Sequence, residues 1–297
     1  MLRAMKRWLY LIFTMACGAR QPGATGGPAE RYRGPVIDIH AHLFTAEELA
    51  SSAPAGTPAG VEGLRALDDQ AGVTRSALIV MARRGDLAAT RAQNDHVIAE
   101  AAHSGGRFFA VASVHPLDGA GALDELTRLA AAGVRIIKLH PNTQQFDVGA
   151  PEVEAVAARA GELGLVLLFD GYSPFDANET GKFLLLAVKQ PRARIIIAHI
   201  GGPRFHEMAL FAMVKVFPYY HNNVWFDLSA TSHLFAGSPY EAELRWLARQ
   251  LGTDRILFGS DFPVDRPAHA VDDVARLGFT AAEQRQIFHD NAEALLR

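Results

Sequence analysis

The chain has 297 residues but a single cysteine, Cys17. One cysteine excludes an internal disulfide framework and any multi-cysteine zinc site, so a metal here must be held by histidine and carboxylate. Excess positive charge is also missing. Lysine and arginine total 29 against 32 aspartates and glutamates, a formal net charge of −3, and no basic stripe stands out. Nucleic-acid binding therefore has no electrostatic support. A glycine-rich phosphate turn after the first candidate strand is absent, which weighs against a doubly wound dinucleotide-binding sheet. The apolar run Trp8 to Ala16 is too short to cross a bilayer as a helix.

That run nevertheless carries information. Arg3, Lys6 and Arg7 precede it and Cys17-Gly18 follow, the layout of a secretory signal over residues 1–17. Thr14-Met-Ala-Cys17 resembles a bacterial lipoprotein cleavage box, with Thr14 where leucine is usual. Acylation of Cys17 would tether the protein outside the cytoplasm, as a periplasmic or membrane-anchored lipoprotein, without a spanning helix. Residues 18–34, rich in Gly, Pro, Ala and Arg, read as a flexible tether to a domain over 35–297.

From Pro35 onward short β-branched runs alternate with longer Ala-rich amphipathic stretches. Strands are predicted at Val36–His40, Ser76–Met81, Phe108–Val114, Val134–Leu139, Leu165–Phe169, Arg194–His199, Val224–Leu228 and Arg255–Gly259. Helical patterns between them include Leu87–His103, Ala122–Ala132, Glu152–Leu163, Lys182–Lys189, Met208–Phe217 and Glu241–Leu251. Such alternation argues for a parallel sheet with helical crossovers, and eight units fit an α/β fold of the (β/α)₈ TIM-barrel type. Ala50–Gly60 reads as a loop near the barrel mouth. Thr280 with Glu283 three residues on forms a capping box for a last helix that buries Phe288, Ala292 and Leu295.

The polar residues cluster at predicted strand ends: His40 and His42 on the first strand, Lys138 and His140 on the fourth, Asp170 on the fifth, and His199 on the sixth. Asp227 and Ser229 close the seventh, and Asp261 follows the eighth. In a barrel the C-terminal strand ends converge on one face, where active sites sit. Residues two apart on a strand point the same way, so His40 and His42 face one spot, with Asp38 expected below them on the same side. Imidazole and carboxylate suit Zn²⁺ and similar cations. His40, His42, His199 and Asp261 supply such donors, and Asp261 is the natural base for a metal-activated water.

The segments VIDIHAHLF, IIKLHP, IIIAHIGG and ILFGSDFP, with DNAEALL near the end, resemble the signature strands of the amidohydrolase superfamily. They are most similar to its amidohydrolase-related branch, which includes aminocarboxymuconate-semialdehyde decarboxylase-like enzymes and lactonases. The resemblance runs from Val36 to the C-terminus. It implies a distorted (β/α)₈ barrel with one divalent metal, often Zn²⁺, held by His40, His42, His199 and Asp261. One position departs from the pattern. The branch usually ends its fifth strand with a histidine ligand, whereas this chain reads LVLLFDGYS there. Ungapped, Phe169 takes the histidine's place, but strand alternation favours Asp170 as the inward residue. Asp170 is therefore expected to replace that histidine as a ligand or to hold the metal-bound water.

Lys138 and His140 are expected to bind substrate. Carbamylation of Lys138, as in two-metal superfamily members, is the less favoured alternative. His115 is a further pocket candidate. Arg204, His206 and His233 are placed on mouth loops, and no role falls to His96, His103, His221, His269 or His289. The expected activity is metal-assisted hydrolysis of a small-molecule amide, ester or lactone. The alternatives are a carboxy-lyase acting on a small carboxylic acid and an inactive binding protein tethered at a membrane.

Overall fold

The computed structural model describes residues 32–44 and 57–297. The predicted signal, Cys17 and most of the tether lie outside the described residues, as does most of the Ala50–Gly60 loop. Among the described residues no helix is long and apolar enough to cross a membrane.

Eight strands form one sheet in sequential order: β1 (Val36–Asp38), β2 (Val73–Ile79), β3 (Phe108–Ser113), β4 (Ile136–Leu139), β5 (Val166–Phe169), β6 (Arg194–Ile197), β7 (Val224–Asp227) and β8 (Ile256–Leu257). Every neighbouring pair is parallel. The barrel closes through Ile39 N–H to the Phe258 carbonyl (3.1 Å) and His42 N–H to the Phe262 carbonyl (2.9 Å), with a parallel bridge between Ala41 and Phe262. The α/β TIM-barrel reading is thus borne out, and each predicted strand overlaps an observed one.

Side-chain alternation sorts the core into two layers. Ile37, Ile39, Ile79, Val111, Ile136, Val166, Leu168, Ile196 and Leu257 pack together inside the barrel. Leu167, Phe169, Ile195 and Phe226 face the other way and pack with Leu126, Val156, Phe183 and Leu244 of the surrounding helices. Branched side chains fit both packed faces of a parallel sheet, which is why these strands read as continuous apolar runs. Ala292 and Leu295 join the inner layer from the C-terminal helix, and the Asn291 amide donates to the carbonyls of Thr253 and Ile256 where β8 starts. The Thr280–Glu283 capping box is present.

Helices Leu87–His103 and Glu241–Leu251 match their predicted bounds. The stretch Met208–Phe217 holds a shorter helix, Ala209–Val214, preceded by a turn over residues 198–208 whose backbone is non-helical at His199, Ile200, Gly201, Gly202 and Arg204. Two further helices, Gly60–Ala71 and Pro267–Arg276, escaped the sequence reading, the first because it abuts an Ala/Pro/Gly-rich segment that reads as loop.

Candidate metal centre and active site

The first strand does not deliver its histidines by simple alternation. A bend at Ile39 interrupts β1, so Ile37 and Ile39 point into the barrel while Asp38 turns toward helix Gly60–Ala71 and its buried Asp68. Asp38 is therefore not beneath the histidines on their side, a correction to the alternation argument. Its Oδ1 accepts from the backbone N–H of His40 and of Ser260, both at 3.0 Å, pinning the start of the site-bearing turn to the segment after β8.

Beyond the bend His40, Ala41 and His42 resume the pattern, with Ala41 packed outward against Leu64 and Leu78. His40 Nε2 lies 3.4 Å and His42 Nε2 3.6 Å from Asp261 Oδ1. Ligand atoms about 2.0–2.1 Å from a tetrahedral cation stand about 3.3 Å apart, so the spacing suits a bound divalent metal. The protonation states suit it too. Burial holds the His42 imidazole down to about 4, and burial with the nearby Lys138 lowers that of His40. Burial alone would raise the Asp261 carboxyl, but His199 and His40 hold it below the usual carboxylate range. Neutral imidazoles beside an ionised carboxylate are the forms that ligate metal.

A second layer orients the first. Asp227, fully buried at the end of β7, accepts from His40 Nδ1 at 3.1 Å through Oδ2. That fixes the tautomer of His40 with its Nε2 lone pair toward Asp261, the carboxylate–histidine arrangement that supports metal ligands. The other oxygen of Asp227 accepts from the N–H groups of His199 and Ser229, both at 3.0 Å, and from the Ser229 hydroxyl. The sequence reading noted Asp227 and Ser229 without giving them roles. Their inward parity at a strand end was the available signal.

His199 and Asp261 both adopt left-handed backbone, each with φ of 59°, and Ile200 follows with φ of 42°. Such angles cost non-glycine residues energy, and here they turn both site residues away from the strand path and into the mouth. Gly201 and Gly202, also at positive φ, complete the turn. The His199 ring then spans two partners, Ser229 Oγ at 2.9 Å from Nδ1 and Asp170 Oδ2 at 3.2 Å from Nε2. Burial alone would lower its imidazole, but Asp261 and Asp170 outweigh that and raise it to about 9. His199, His40 and Asp227 also bring donor atoms within 4.8 Å of one another, yet those atoms meet across the Ser229 hydrogen bonds.

Asp170 points inward and Phe169 outward, its ring 5.3 Å from that of Phe183, as alternation favoured. The Asp170 carboxylate is outside the His40–His42–Asp261 group. Its Oδ2 instead lies between His199 Nε2 and His140 Nε2, the latter 3.3 Å away. Burial holds the His140 imidazole down to about 4, so of the two only His199 carries charge near neutrality. Lys138 is fully buried and its Nζ lies 2.9 Å from His40 Nε2. Lys138 Nζ thus stands at the same ring nitrogen of His40 that faces Asp261.

A cleft of about 1070 Å³ reaches the cluster at His42, with Met81, Arg83, Arg84, Phe175 and Lys182 among its other lining residues. His115 lines it as well, but both its ring nitrogens are engaged by backbone, the Gln144 carbonyl at 2.7 Å and the Leu117 N–H at 3.2 Å. Arg204 is tied to Glu207 and to the carbonyls of Asp176 and Ala177, not to the mouth.

The sequence matches the amidohydrolase family over residues 37–297. The chain belongs to the amidohydrolase family. No curated protein matches this amidohydrolase. Among solved structures it is similar to 2,6-dihydroxybenzoate decarboxylase from Rhizobium, with 20% identity over 89% of this chain and 99% of that one and a TM-score of 0.69. A dihydroxybenzoic acid decarboxylase from Polaromonas, solved with bound manganese and the inhibitor 2-nitroresorcinol, gives 17% identity, 89% and 97% coverage and a TM-score of 0.67. An uncharacterised TIM-barrel protein from Bordetella bronchiseptica gives 17% identity, 88% and 98% coverage and a TM-score of 0.70. At such identities the likeness shows the shared fold. Family membership makes this amidohydrolase an enzyme, and its His/Asp cluster is the candidate site for the metal on which the family depends.

Proposed function

We propose that this amidohydrolase is a metal-dependent carboxy-lyase acting on a small hydroxylated aromatic acid. The observation that carries the reading is His199, whose Nε2 is held by a carboxylate that is not part of the metal cluster. Decarboxylation replaces a carboxylate by a proton, so it needs an acid close to carbon, and an imidazole kept protonated by Asp261 and Asp170 is one. Two of the solved structures with this fold are named as dihydroxybenzoate decarboxylases, which supports the same choice.

His40, His42 and Asp261 would hold the divalent cation. When bound, it supplies positive charge that anchors and polarises the oxygens of an acidic substrate. A single lone pair on His40 Nε2 cannot serve both a cation and Lys138. Lys138 is then free to donate to the substrate carboxylate. His199 Nε2 gives its proton to the ring carbon that carries the carboxylate. The carbon–carboxylate bond then breaks, its electron pair returns to the ring, and carbon dioxide leaves. Solvent restores the proton through the His140–Asp170 pair. Hydrolysis, the reaction expected first from the sequence, would instead use Asp261 as base toward a metal-activated water and has no need of a protonated His199.

The test is turnover of a panel of hydroxybenzoates, with carbon dioxide followed directly, beside a panel of lactones, esters and amides followed by acid release. Carbon dioxide release that His199→Ala abolishes supports the lyase. Acid release without carbon dioxide overturns it in favour of hydrolysis, and no turnover of either panel by metal-loaded protein favours the inactive binding protein. Zn²⁺ is proposed from the donor set, with Mn²⁺ as the competitor that elemental analysis would reveal. Export rests on residues 1–17, and lipid labelling that Cys17→Ser removes tests the anchor.

A further inference from the structure

Away from the cluster just described, a second group of metal-binding side chains lies behind the segment that carries Asp261. His233 sits on the short helix Thr231–Phe235 after β7. Asp265 lies in the loop after β8, and His269 and Asp273 are on the helix Pro267–Arg276 that follows. His233 Nδ1 is 3.1 Å from Asp273 Oδ2 and 3.7 Å from Asp265 Oδ2. His269 Nδ1 is 3.3 Å from Asp265 Oδ1. His269 and Asp273 are four residues apart on one helix, so they share a face.

Two features argue against an ordinary ion pair. Asp265 and Asp273 are 6% and 3% exposed, so two carboxylates are buried around one imidazole. Buried carboxylates are costly unless fully paired. Moreover Asp265 Oδ2, aimed at the centre of the group, has no hydrogen-bond partner. A buried orphan oxygen beside a histidine and a second carboxylate is the arrangement a cation completes. Burial accordingly raises the Asp265 carboxyl above its ordinary value.

We infer that His233, Asp265 and Asp273 form a second, structural divalent-cation site, their donor atoms lying within 4.8 Å of one another. One imidazole with two carboxylates suits Zn²⁺ or a similar borderline cation, with water to complete the shell. Such a site would staple the loop after β7 to the loop carrying Asp261 and to the helix beyond it. It fixes Asp261 from behind without touching substrate.

Chelator-stripped protein is titrated with Zn²⁺ alone and its bound metal counted by elemental analysis after desalting. The wild type is expected to hold two equivalents. His42→Ala should lose one and keep the other, whereas Asp273→Asn should lose the one that His42→Ala keeps. His233→Ala, a change at a side chain that is 29% exposed, should weaken that equivalent at least tenfold and lower the melting temperature only when Zn²⁺ is present. A wild type with a single equivalent that His42→Ala removes overturns the inference. So does a second equivalent that neither Asp273→Asn nor His233→Ala affects. If Asp273→Asn fails to fold, His233→Ala decides alone.

Discussion

Asp170 Oδ2 stands 3.2 Å from His199 Nε2, and with Asp261 it holds the charge of the proposed acid. His199 binds its proton more tightly folded than unfolded, because its imidazole is raised to about 9. Its contribution to stability is therefore complete below about 6.5, the ordinary histidine value, and is lost as pH rises through about 9. Asp170→Asn keeps the size of the side chain and removes the charge. The alkaline limb of the rate profile should move to lower pH and the rate at neutral pH should fall by about 10²-fold or more. A profile that keeps its alkaline limb would show that Asp170 does not hold the proton on His199.

The metal cluster gives a graded series. His42→Ala or Asp261→Ala should leave the protein folded but without catalytic metal. Asp227→Asn, which loosens the support of His40 while leaving all three donors, should weaken metal binding by about 10–100-fold. Metal content and affinity measured on the three variants check the order, and equal losses in all three would contradict it.

Phe169 and Asp170 are neighbours with opposite duties. Phe169→Ala empties a fully buried position against Phe183 and should cost about 3–5 kcal/mol in urea unfolding, with metal content per folded molecule unchanged. Lost metal in the folded Phe169→Ala protein would restore Phe169 as the position that matters to the site.

Gly171 has no room for a side chain, since an added Cβ would clash with the Ala198 carbonyl oxygen. Gly171→Ala must push the end of β5 from that of β6, directly before His199. It should destabilise by about 1–3 kcal/mol and lower kcat more than it raises KM. Chemical denaturation and steady-state kinetics separate the two effects.

Asp68, on the buried face of the helix Gly60–Ala71 and bonded by the Ser76 hydroxyl, supplies a pH dependence of opposite origin to a paired carboxylate. Burial raises its carboxyl to about 7, so the folded state holds a proton that the unfolded state releases near 4. The contribution of Asp68 to stability should be complete below about 4 and lost as pH climbs through about 7, by an amount on the order of a few kcal/mol. Asp68→Asn should flatten that slope, as thermal melts across the range would show.

Much of this was legible beforehand because barrel strands obey a period of two. Branched runs located all eight strands, and parity alone separated inward Asp170 from outward Phe169. What the sequence concealed lies where the period breaks. The bend at Ile39 turned Asp38 to the helix side, and the left-handed turns at His199 and Asp261 set their rings by backbone angles that no pattern of apolar residues encodes. Asp227 was visible as a polar strand end, but its service to His40, Ser229 and His199 at once appears only when three strands are brought together. His233, Asp265 and Asp273 were hidden for the same reason, being donors from separate segments with no motif between them.

The seam of the barrel also orders events in time. The amide of Asp261 bonds the His40 carbonyl, and Asp38 reaches Ser260 across 222 residues of chain. A ribosome builds the first half of the metal cluster early and the second half near the end of synthesis. Until the last strand and helix emerge, His40 and His42 wait without Asp261, and the barrel has two open edges. A nascent or truncated chain thus lacks both the closing seam and the carboxylate of the candidate metal cluster.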